Sequence, residues 1–167
     1  MSQPGSTAPE DLDAFRRAAD RARRREPHRS DDMLAAVLRA AAGDPALVHT
    51  PEGMPAYCLV PFTAGKLAAG FARVELDGKV SQLGAFGAGA EDRAAWPPAS
   101  FFTAPPPHML QEIQRRHPDA DIAAPLLTYD RSPARWAWRV NLESGAVFIS
   151  PGGWYVSSPT RHHDREG

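Results

Sequence analysis

His49, Cys58, His108 and His117 are the side chains whose types could supply a nucleophile and its base. Such chemistry needs an imidazole within reach of the thiol, and a third group to orient that imidazole. Cys58 instead falls inside the apolar run Ala56 to Phe62, where a thiol behaves as a small hydrophobe. His117 closes an expected helix, a position where the helix dipole favours a cation. Neither placement calls for chemistry, so no catalytic residue is assigned. Tyr57, His49 and His108 still offer acid–base groups for an alternative, a small-molecule enzyme or binding protein with a pocket between helix and sheet.

Other chemistry-bearing patterns are similarly bounded. His162-His163-Asp164 has metal-ligand types but sits in a short polar tail with no framework to converge three or four ligands. No metal is assigned. Gly84, Gly87 and Gly89 mimic a phosphate loop, yet they close a hairpin arm rather than open a helix, and no Lys-Ser/Thr follows. No cofactor is implied. Between Arg16 and Arg29 there are seven arginines with few acids among them. Arg16, Arg17, Arg21, Arg23, Arg24 and Arg25 form an electrostatic patch on an expected helix, for which a solvated helix face is the favoured account over a site for nucleic acid, anionic lipid or an acidic partner. Trp96-Pro97-Pro98 and Pro105-Pro106-Pro107 read as a stiff connection whose Phe101 and Phe102 tuck against the core.

The whole chain restricts the choices further. It has 167 residues, 43% hydrophobic and 23% charged, which excludes collagen-like, coiled-coil and wholly disordered chains. With 19 basic and 20 acidic residues the net charge is -1, against a dedicated nucleic-acid binder. The single cysteine permits neither an internal disulfide nor a multi-thiolate metal site, and it suits a reducing compartment. Residues 1–10 lack the basic and apolar regions of a secretory signal, and no apolar run is long enough to span a bilayer. A cytoplasmic location is the expectation. The arginine-over-lysine bias is what a GC-rich coding sequence produces.

Periodicity supplies the elements. Leu12, Phe15, Ala18, Ala19 and Ala22 predict a helix over 10–25, within an Arg-rich extension covering 1–30. Leu34, Val37, Leu38 and Ala41 predict a second helix, stopped by Gly43 and Pro45. Ala56–Phe62 reads as a strand covered on both faces. Residues 67–76 and 80–86 flank Asp77-Gly78 as a hairpin with a two-residue type I′ turn. A third helix over 107–117 turns Met109, Leu110 and Ile113 inward. Strands follow at 121–129, 134–142, 146–150 and 154–157. In the second of these, Trp136, Trp138, Val140 and Leu142 alternate with Arg135, Arg139 and Asn141. The expected fold is α+β, with helices packed on antiparallel sheet, in one domain over 31–157 followed by a disordered tail over 158–167.

Met33-Leu34 and Val37 correspond to Met109-Leu110 and Ile113 at a constant offset, which raises a duplication of 31–90 as 106–157. The stretch Arg135-Trp136-Ala137-Trp138-Arg139-Val140, then Ser144-Gly145-Ala146-Val147-Phe148-Ile149, resembles the PepSY and cystatin-like modules. The resemblance covers 107–157 and, less clearly, 33–87. It implies a helix laid across an antiparallel sheet, in two tandem halves, and a non-catalytic role of binding or inhibiting peptidases and other proteins.

Together these features point to a non-enzymatic, cytoplasmic module of inhibitor, immunity or adaptor type. Its partner would be another protein, held by a strand edge or by an aromatic and arginine face of Arg135, Trp136, Trp138, Arg139, Trp154 and Tyr155. Self-association into a homo-oligomer is left open.

Overall fold

A computed structural model describes residues 9–25, 39–86, 96–129 and 135–157. The chain divides into two compact units, Met1–Ala104 and Pro105–Gly167. Among the described residues both are built mainly of antiparallel strands, so the α+β class holds with sheet predominating over helix.

In the first unit, α1 spans Pro9–Arg25. Its apolar stripe buries Phe15 and Ala19, and Leu12 and Ala18 pack beside them. Asp13 holds both Arg16 and Arg17, and Asp20 holds Arg23 and Arg24, the i,i+3 and i,i+4 pairs that support an exposed helix. The strands are β1 Ala41–Ala42, β2 Ala46–His49, β3 Pro55–Ala64, β4 Leu67–Glu75 and β5 Val80–Ala85. Their order is β5-β4-β3-β2, and β1 lies beside the far end of β3, Ala42 facing Phe62. β3 is central, and six consecutive residues from Tyr57 to Phe62 are buried, as its unbroken apolar run predicts. One face carries Cys58, Val60, Phe62, Ala72 and Val74 under α1, with Trp96 completing that core. Phe71, Phe86, Phe101 and Phe102 form an aromatic chain with centroids 5.5 to 5.9 Å apart; Phe86 joins it to that core, and a 3₁₀ turn at Ala99–Phe102 supplies Phe101 and Phe102.

Two local expectations fail here. The predicted second helix falls mostly on residues outside those described, but Ala41, assigned to its apolar face, instead belongs to β1. Gly43 donates to the Pro61 carbonyl at 2.7 Å, so sheet pairing claims this stretch. The turn after β4 is also longer than two residues. Gly78 donates to the Glu75 carbonyl and Glu75 to that of Lys79, with Gly78 at φ 89°. A three-residue loop with a left-handed glycine forms a bulge of this kind, and it leaves Leu76 half exposed rather than facing inward. The Thr50–Met54 turn repeats the same bonds around Gly53.

The second unit begins with α2, Pro107–Arg116. Pro107 sits in its first turn, Glu112 pairs with Arg116, and Ile113 is fully buried while Met109 and Leu110 are partly so. Four strands then pair in order: β6 Leu126–Tyr129, β7 Trp136–Leu142, β8 Gly145–Ser150 and β9 Gly153–Ser157. The predicted strand over 121–129 is shortened because residues 122–123 form a turn, Ile122 donating to the Ala120 carbonyl. Register sets two faces. Leu127, Trp138, Ile149 and Trp154 stand in one cross-strand row, and Leu126, Arg139, Phe148 and Tyr155 in the next. The first row is the core, from fully buried Ile149 to half-buried Trp154.

Gly84 in β5 lies opposite Phe71, and a Cβ at that position would stand 2.6 Å from the Phe71 ring. The ring is itself held by Phe86, so it has little freedom to retreat. Gly84→Ala should therefore destabilise the protein by about 1–3 kcal/mol, the usual cost of overpacking. Urea unfolding followed by far-UV circular dichroism measures it, and an unchanged midpoint would show that the Phe71 ring is not closely confined.

Candidate functional site

The six residues expected to form one aromatic and arginine face are divided by the register. Trp136 and Trp138 are buried at 9% and 8% exposure and serve the core. Trp154 shares their side of the sheet, beneath the end of α2. Its ring lies 6.2 Å from that of His117, edge to face, and the Arg116 guanidinium is 5.4 Å above it. Such contacts fix the indole and are worth about 0.5–1 kcal/mol each at a surface. Arg135 is exposed just before β7.

Arg139 and Tyr155 come together on the opposite side, with Phe148 between them in register. Phe148 and Tyr155 stack at 5.6 Å with their planes 20° apart. Phe148 was not among the sequence-derived candidates. Its signal was the period of β8, where it alternates with the buried Val147 and Ile149. Val156 was also missed. At 45% exposure it is more open than Tyr155 at 38%.

β9 is the last strand of the second unit, and among the described residues β8 is its partner. Gly153–Ser157 contains no charge and no proline, the two commonest devices that discourage pairing at an edge. In the first unit, β5 ends the order β5-β4-β3-β2 and exposes Ser81 and Gln82. The exposed Tyr155 and Val156 of β9 make it the stronger candidate for contact with another chain.

The sequence-derived chemistry can now be placed. Cys58 is fully buried and its thiol is pushed up to about 12 by burial, so it carries almost no thiolate near neutrality. His108 is exposed, and His49 and His117 are half buried. No group of three metal-ligating side chains occurs among the described residues, and His162-His163-Asp164 lies outside them. Of the loop-like glycines, Gly84 is strand residue and Gly87 and Gly89 are not among the described residues. Tyr57 is buried under the Arg73 guanidinium, 4.1 Å from the ring centre. Arg73 also binds Glu75 at 2.7 Å. The Ser81 hydroxyl donates to that carboxylate, and with Arg73 holds it below the usual glutamate range. These polar groups satisfy one another and tie β4 to β5. Among the described residues no helix is long and apolar enough to cross a membrane.

No known protein family, curated protein or solved structure matches the chain.

The state of Cys58 has a direct chemical consequence. A rise from 9.0 to about 12 lowers the thiolate fraction about 1000-fold at neutral pH. Labelling with a thiol-reactive chromogenic disulfide at pH 8 should be slower in the native protein than in urea by roughly two to three orders of magnitude. Equal rates would mean that β3 is not covered on both faces.

Proposed function

We propose that the chain is a non-enzymatic protein-binding module that works in the cytoplasm and captures its partner by strand addition at β9. The observation that carries this reading is the composition of that edge: an uncharged, proline-free strand with Tyr155 and Val156 exposed. An added strand gains main-chain hydrogen bonds from the edge, while alternate side chains supply selectivity. Tyr155, stacked on Phe148 in the row that holds Arg139, offers an aromatic and cationic surface of the kind enriched at interface hot spots.

Further support comes from what surrounds the edge. The tryptophans and the thiol of the described residues are taken up by packing, which leaves recognition rather than turnover as the role of the exposed groups. The helix followed by strands between Pro107 and Ser157 resembles the arrangement expected of PepSY and cystatin-like modules, and that resemblance supports an inhibitor, immunity or adaptor role. A lone buried cysteine suits a reducing compartment.

Affinity capture from the native host tests the reading. Wild-type protein should retain a specific partner, and Tyr155→Lys/Val156→Lys should lose at least ~10-fold of that capture, because a lysine edge disfavours pairing. Both positions are exposed, so the melting temperature should stay within a few degrees. Undiminished capture by the folded variant would reject β9 as the contact.

A further inference from the structure

We propose that the arginine-lined cleft along α1 binds a small ligand carrying two or more phosphate groups. This site lies in the first unit and is independent of the β9 edge. The cleft, of about 450 Å³, is lined on the helix by Arg16, Arg17, Arg21, Arg23, Arg24 and Asp20, and on the other side by the two alanines of β1. With Asp13, which holds Arg16 and Arg17, five cations stand against two carboxylates and leave a local surplus of three positive charges in a chain whose net charge is -1.

The helix dipole does not account for this surplus. Cations are favoured in the last turn, which here contains Arg23, Arg24 and Arg25, and the effect fades beyond it. Arg16, Arg17 and Arg21 lie farther back. Arg21 makes no ion pair with any described residue. The others are held in place. Arg23 donates to the Ala40 carbonyl and to Asp20, Arg24 reaches Asp20 at 2.9 Å, and Asp13 holds Arg16 and Arg17 together. Arg23 is spent on Asp20 and the Ala40 carbonyl and fixes the wall of the cleft; at Arg16, Arg17 and Arg24 one shared carboxylate leaves most of the five guanidinium N–H donors for phosphate oxygens. Arg23, with Arg24 beside it, also keeps the Asp20 carboxyl below its usual range, so this anchoring persists through mildly acidic pH.

Size selects the class of ligand. From Arg16 to Arg24 the helix rises about 12 Å, room for two or three linked phosphates rather than a long track of nucleic-acid backbone. The two alanines of β1 line the other side with small apolar groups that bring no carboxylate to oppose an anion.

Titration calorimetry on the full chain with inorganic tripolyphosphate tests the proposal. It should show saturable one-to-one binding that weakens between about 50 and about 200 mM salt. Arg21→Glu/Arg24→Glu should weaken it at least 30-fold. If that variant loses helical circular dichroism, the milder Arg17→Gln/Arg21→Gln variant decides, with a loss of at least 10-fold expected. A nucleoside triphosphate that binds as tightly as tripolyphosphate, or more tightly, supports the site and identifies the source of the phosphates. Absence of tripolyphosphate binding, or binding undiminished in the folded variants, overturns the proposal. So does tighter binding of a single-stranded oligonucleotide, of phosphatidylserine vesicles or of a polyglutamate peptide, since each would make the patch an extended polyanion surface.

Discussion

Every strand carries a backbone donor and acceptor at each non-proline residue, and these must be paired or left to water. That requirement orders the first unit around β3, which takes β4 on one side and β1 and β2 on the other. With both its edges used, β3 can bury both its faces, and six successive residues do so. The same requirement gives β9 its character. Among the described residues it pairs with β8 alone, and it carries neither charge nor proline.

The side chains follow from this division. Where the pairing is complete, groups that look reactive in the sequence are absorbed by packing: the Cys58 thiol is pushed far above neutrality and Tyr57 lies beneath Arg73. Trp136 and Trp138 are used in the same way in the second unit. The alternation of β7 places Arg139 on the opposite side from them, and the register through β8 brings it into line with Phe148 and Tyr155. Charge is arranged with comparable economy on α1, where two aspartates each hold a pair of arginines.

Much of this was legible where one physical signal dominated. The stripe of Leu12, Phe15 and Ala19 located α1 to within a residue, and an unbroken apolar run located β3. Pro107 and Pro118 bracketed α2. Failures arose where local and nonlocal forces compete. Ala41 fits a helical stripe, but pairing with β3 is a contact across 22 residues that periodicity does not see. The Asp77-Gly78 signal marked the right turn, while the glycine's position within it depended on register with β4. The candidate face suffered the same blindness. Tryptophan and arginine composition marked the right strands, yet grouping by sequence neighbourhood mixed two faces. Cross-strand rows, which join Tyr155 to Phe148 and Arg139, exist only once register is set.

The central claim is that the open side of β9 is where a protein partner docks. Its most direct measurement is site-specific photocrosslinking in the native host, with a benzophenone amino acid placed at Val156 and, as a control, at Gln82 on β5. The account predicts a discrete protein adduct from position 156 and none from position 82. Adducts from position 82 alone, or none from position 156 in a folded protein, would contradict it.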